Sequence, residues 1–75
     1  MDAYILVTCE KGKETDVFKK MNEHEEVVGT HIIFGEWDVM IKVKTESPEE
    51  LGTFILDKIR PLPGVLLTST LIVAK

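Results

Sequence analysis

The chain has 75 residues, one cysteine, and a formal net charge of −4 from 9 Lys plus Arg against 13 Asp plus Glu. That length holds one small domain burying only about 60 % of its surface; the lone cysteine excludes an internal disulfide and a Cys-x-x-Cys zinc site, which leaves self-association as the expected stabiliser. The acidic balance argues against direct nucleic-acid binding, since phosphate neutralisation dominates that affinity, and no apolar run approaches the ~20 residues of a membrane span. The first residues, Met1-Asp2-Ala3-Tyr4, lack the basic and apolar regions of a secretory signal, so the expected location is cytoplasmic.

Residues 3–9, Ala-Tyr-Ile-Leu-Val-Thr-Cys, are apolar and rich in β-branched and aromatic side chains, the pattern of a central strand buried on both faces. Glu10-Lys11-Gly12 breaks it. Over 13–24, Val17, Phe18 and Met21 recur at helical spacing with acidic residues at the start, which predicts an amphipathic helix. Residues 27–34 return to strand character through Thr30, Ile32, Ile33 and Phe34, and Gly35-Glu36 suits a tight hairpin with glycine first in the turn. In the third strand, 37–44, Val39, Ile41 and Val43 share one face while Asp38, Met40, Lys42 and Lys44 share the other.

Ser47-Pro48-Glu49-Glu50 is a helix start: Ser47 caps, Pro48 fits the first helical position, and Glu50 reaches back to complete a capping box. Leu51, Phe54, Ile55 and Ile59 form the inward stripe, and Pro61 stops the helix. Pro63-Gly64 turns the chain into a last strand over 65–74. The order β-α-β-β-α-β is that of an α+β, ferredoxin-like fold, with two helices covering one face of a four-stranded antiparallel sheet. The last strand is apolar on both sides, with Leu67, Leu71 and Val73 on one and Leu66, Ile72 and Ala74 on the other. A second surface must therefore cover the open sheet face, and the expectation is at least a dimer, packed sheet on sheet.

The turn Gly35-x-x-Asp38 entering a strand of alternating aliphatics, the Leu62-Pro63-Gly64-Val65 turn, and Thr68-x-Thr70-x-Ile72 in the last strand resemble, in that order, the effector-binding domain of the Lrp/AsnC feast/famine regulators. The resemblance covers nearly the whole chain. It implies a domain that dimerises through its sheets, assembles further into rings, and binds small effectors, usually amino acids, between subunits. Members of that family normally carry a helix-turn-helix domain ahead of this one, whereas here the first strand begins two residues after Met1. The expectation is a stand-alone form, spanning 1–75, that senses an effector without touching DNA, or co-assembles with a full-length Lrp/AsnC-type regulator.

The expected effector site combines Gly35, Trp37, Asp38, Thr68 and Thr70. The Asp38 carboxylate suits an effector's ammonium group, the Thr68 and Thr70 hydroxyls suit its carboxylate, and Trp37 offers an apolar wall. Each also has a structural reading: Gly35 as a turn glycine, Asp38 as a turn-stabilising carboxylate, the threonines as strand packing. His24 and His31 have no third ligand in view, Cys9 reads as a packed thiol, and no phosphate loop or nucleophile elbow is present, so neither metal nor cofactor nor catalysis is expected. Two other classes share the frame. One is an enzyme of the dimeric α+β barrel type, cofactorless or haem-binding, which requires His31 in a deep pocket; the other is a purely structural oligomerisation partner.

Overall fold

A computed structural model describes residues 1–75, and in it the elements follow the expected order. They are β1 (Asp2–Cys9), α1 (Glu14–Met21), β2 (Val27–Ile32), β3 (Val39–Lys44), α2 (Pro48–Phe54) running into a π-helical turn (Ile55–Ile59), and β4 (Val65–Ile72). The strands form one antiparallel sheet in the order β2-β3-β1-β4, the ferredoxin-like arrangement.

Strand alternation builds the core. Ala3, Ile5 and Val7 of β1 lie in register with Val43, Ile41 and Val39 of β3, and all six are fully buried under the helices. Val17 and Met21 close this layer from α1, and Leu51, Phe54 and Ile59 from α2 and its π turn. Phe54 and Ile59 are five residues apart, and the wider π turn keeps both facing inward. The Ser47 cap forms as expected, with Ser47 Oγ accepting from Glu50 N at 3.1 Å. Glu50 also reaches back, although its carboxylate accepts from Glu46 N at 2.7 Å, one residue before the cap.

Several boundaries differ from the sequence expectation. The connection between β2 and β3 is no two-residue hairpin: β2 ends at Ile32, β3 begins at Val39, and residues 33–38 form a longer loop. Asp38 N donates to Val7 O at 2.9 Å, so β1 holds Asp38 and sets the loop's length. Helix α1 stops at Met21, where Glu23 N and His24 N bond back only three residues, to Lys20 O and Met21 O. Strand β4 ends at Ile72, because its partner β1 starts at Asp2, whose carbonyl takes the last rung from Val73 N at 2.9 Å. Strand β1 is central but buried on one face only, with Tyr4, Leu6 and Thr8 half-exposed on the other.

Thr30 of β2 lies in register with Ile41 on the helix-covered side, and no protein group pairs with its buried Oγ1. Thr30→Val replaces that hydroxyl by an isosteric methyl and is expected to stabilise the fold by up to about 1 kcal/mol. A thermal melt checks this through a rise of a few degrees; a fall would mean that Oγ1 is satisfied in solution.

Candidate functional site

Residues 33–38 form a protruding loop at one end of the sheet. Gly35 takes φ 134°, a conformation that L side chains rarely adopt, in open space with no atom within 4 Å of where a Cβ would stand. The glycine is therefore a backbone requirement of the loop. Its neighbour Phe34 is fully exposed, a feature that strand periodicity had placed inside β2. Trp37 is half-buried at the loop's end.

Asp38 is tied into the sheet. Besides its backbone bond to Val7, its carbonyl accepts from Ile33 N at 2.9 Å and its Oδ2 accepts from Cys9 N at 2.8 Å. The carboxylate thus satisfies a backbone donor at the end of β1, a contact across 29 positions of sequence. Asp38 itself lies in the bend before β3, outside the strand's alternation, with its backbone N–H and its carboxylate both turned to the end of β1. Burial pushes the Cys9 thiol up to about 11, with the Asp38 and Glu14 carboxylates adding to the shift.

That shift makes Cys9 inert near neutrality. A thiol titrating near 11 and not near 9.0 holds roughly 100-fold less thiolate at pH 8, so alkylation by iodoacetamide is expected to be slowed by about that factor until the protein unfolds. Because the folded state binds this proton more tightly, its contribution to stability is complete below about pH 9 and is lost as pH rises towards 11. Melts at pH 8 to 11 should show this slope, and Cys9→Ala should flatten it.

Thr68 and Thr70 sit in register with Val7 and Ile5, whose side chains are buried under the helices. Opposed residues of an antiparallel pair share a face, so both threonines point to the helix side. The helices stop short of this edge strand, leaving Thr68 half-buried and Thr70 exposed. Within one chain β1 stands between Asp38, which it holds on its β3 side, and the two threonines of β4.

The open face carries an apolar strip interrupted by His31, Lys42 and Ser69. His31, Met40, Leu6 and Ser69 form one row across all four strands; Lys42, Tyr4 and Leu71 form the next, with Lys42 Nζ 5.6 Å from the centre of the Tyr4 ring. Leu67 and Leu71 are each more than half exposed there. His31 is exposed in the single chain and lines no pocket there. No group of three or more His, Cys, Asp or Glu side chains is placed to hold a metal ion. No helix is long and apolar enough to cross a membrane.

On the other layer, the outer side of α1 and the turn before β4 form an open groove of about 350 Å³, floored by Val17 and Leu62 and rimmed by Lys13, Asp16, Lys20 and Glu23. None of the residues expected at an effector site lines it. Its mixed charges read in the sequence as an ordinary solvated helix face, and only the packing of the 62–64 turn against α1 makes it concave.

Comparison with known proteins adds four findings. The chain is 39 % identical to the HTH-type transcriptional regulator FL11 of Pyrococcus horikoshii over all 75 residues, which is 49 % of that protein's length. The chain thus spans about half the length of the curated relatives it matches. The crystal structure of FFRP-DM1 superposes with a TM-score of 0.92 at 38 % identity, covering 96 % of both chains. The transcriptional regulator NMB0573 of Neisseria meningitidis, solved in complex with L-Met, superposes with a TM-score of 0.89 at 22 % identity over 99 % of this chain and 49 % of that one. The last likeness shows the fold alone. The family model of the Lrp/AsnC ligand binding domain matches residues 2–75. With the β-α-β-β-α-β sheet, the half-length match to FL11 and that model in agreement, the chain belongs to the Lrp/AsnC family of transcriptional regulators and constitutes its ligand-binding domain.

Proposed function

We propose that this domain binds a small α-amino acid between copies of itself and converts binding into a change of assembly. The observation that carries this reading is the division of complementary groups over one chain. Asp38, held on the β3 side of β1, and the Thr68 and Thr70 hydroxyls on β4 are separated by a strand within a protomer, yet an effector bridging two protomers meets both sets. Asp38 Oδ2 is engaged by Cys9 N, which leaves Oδ1 for an ammonium group, while backbone N–H groups near Gly35 and the threonine hydroxyls face a carboxylate. Trp37 supplies an apolar wall. The L-Met complex of NMB0573 supports this ligand class.

The open face supplies the first contact between copies: Tyr4, Leu6, Met40, Leu67 and Leu71 pack against the same strip of a second chain. An effector that touches two subunits binds only the assembled form and shifts the equilibrium by its differential affinity. A full-length regulator of the same family is a further partner in this scheme. The DNA-reading role is assigned to another domain or chain and not to these 75 residues.

Calorimetry with each of the twenty amino acids at 10 mM, alongside light scattering, tests the reading. One or a few should bind in the micromolar to millimolar range, worth roughly 4–8 kcal/mol, on a protein that is at least dimeric. A second reading, a purely structural oligomerisation domain, is favoured by the engagement of Asp38 with Cys9 N. A dimer with no heat from any amino acid selects that reading, and a stable monomer at micromolar concentration rejects both.

A further inference from the structure

The groove beside α1 lies outside both the expected effector site and the sheet, and its rim carries an ordered pattern of charge. Lys13, Asp16, Lys20 and Glu23 advance in steps of three, four and three, so they form one stripe along the helix surface. Glu23 N bonds back to Lys20 O, which continues the turn past Met21 and keeps Glu23 on the stripe. All four side chains are exposed, and none takes part in a hydrogen bond within the chain. From its N-terminal end the stripe runs basic, acidic, basic, acidic; from the other end it runs acidic, basic, acidic, basic. It is therefore complementary to its own reversal. The turn at 62–64 walls one side of it, so the charged face is concave and not flat, with Val17 and Leu62 as its apolar floor.

We propose that the α1 stripe docks antiparallel on the α1 stripe of a second copy, about a two-fold axis level with Phe18. That arrangement sets Lys13 against the partner's Glu23 and Asp16 against the partner's Lys20, and the two-fold repeats both pairs. A parallel arrangement sets like charge against like at every position, so the pattern selects the antiparallel one and rejects its alternative. The opposed helix dipoles act in the same sense. The lysine stems lie along the floor made by Val17 and Leu62, while their ammonium groups reach the facing carboxylates. Exposed ion pairs are individually weak, so the contact is weak and salt-sensitive, and it gains strength where an assembly presents several such helices at once. It uses neither a face nor an edge of the sheet, needs no effector, and leaves the open face free for the packing proposed above.

Zero-length cross-linking with a carbodiimide, which joins a lysine to a carboxylate in direct contact, tests it on the full chain, with ordinary and 15N-labelled protein mixed. Within one helix Lys13 and Glu23 stand about 15 Å apart, beyond the reach of such a bond, so an amide between them reports two copies. Peptides joining Lys13 to Glu23, and mixed-isotope peptides joining Asp16 to Lys20, are expected at low salt. Their yield should fall severalfold in about 1 M salt, where charges are screened within about 3 Å. Asp16→Lys and Lys20→Asp each oppose like charges across the two-fold, and each alone should cut the Lys13–Glu23 product severalfold. Mixing these two variants makes both central pairs attractive again and should restore it. Should either variant lose the parent's far-UV circular dichroism, the double variant Asp16→Lys with Lys20→Asp keeps the self-complementary order and must retain the product. Absence of a Lys13–Glu23 product from the parent overturns the proposal, as does a product that persists undiminished in the folded single variants or disappears from the folded double variant. Dominant mixed-isotope cross-links from Lys13 and Lys20 to carboxylates off the stripe place a different surface in the groove and overturn it as well.

Discussion

Gly64→Ala is expected to destabilise the domain by roughly 2–4 kcal/mol, a large part of the about 4–11 kcal/mol available to a chain of this size. Two costs coincide at this position. Gly64 takes φ 95°, where an L side chain is strained, and a Cβ built there stands 2.6 Å from Lys13 Cβ and 2.9 Å from Lys13 Cγ. Lys13 Cβ is anchored to its backbone and cannot swing aside. The turn is also latched: Glu10 N donates to Gly64 O at 2.7 Å, tying the entry of β4 to the exit of β1. Urea denaturation should therefore show a lower midpoint, and melting should fall by about 4–8 °C for each kcal/mol lost. Gly35→Ala is the control, since its φ of 134° carries strain without a neighbour, and it should cost about 1–2 kcal/mol. Adding Lys13→Gly to Gly64→Ala removes the clashing Cβ and should recover the steric share. Equal losses at Gly64 and Gly35, with no rescue, would show that the close approach to Lys13 does not matter.

Replacing Asp38 separates its two roles. Asp38→Asn keeps an oxygen to accept from Cys9 N while removing the charge proposed to hold an ammonium group, so stability should change by less than about 1 kcal/mol. Asp38→Ala removes the acceptor as well and leaves the partly buried Cys9 N–H unpaired, for a loss of about 1–3 kcal/mol. Both should abolish the response to effector, which in the parent reaches about 2.7 kcal/mol when ligand is present at 100 times its Kd. The assembly should survive in both, because Asp38 lies at the end of the sheet and outside the apolar strip. An Asp38→Asn variant that binds its amino acid as tightly as the parent would remove Asp38 from the site and leave it a purely structural carboxylate.

Most of the fold was legible because its signals are local. The period-2 alternation of Val39, Ile41 and Val43, the Ser47 cap with Pro48 behind it, and the breaks at Gly12 and Pro61 each depend on neighbours a few residues away. The two-sided apolarity of β4 was equally visible and pointed to a second covering surface. Alternation, however, states which residues share a face, not which face is covered or where a strand sits in the sheet. A two-sided apolar strand reads the same at the centre and at an edge, and only pairing with β1 alone places β4 at the edge.

The candidate site shows the same division. The sequence marks Gly35 as a turn residue and Asp38 as a carboxylate leaving that turn, and the positive φ of Gly35 agrees. Nothing local indicates that Asp38 Oδ2 meets Cys9 N, that the loop runs from 33 to 38, or that β1 stands between Asp38 and the threonines of β4. Each of these is fixed by strand register between segments far apart in the chain, where a shift of one residue exchanges every inward and outward side chain. The sequence by itself determined the elements, their order and the chemistry of the candidate residues; the tertiary structure alone decided which faces and edges those residues occupy, because register and strand order are set by long-range packing and leave no periodic trace.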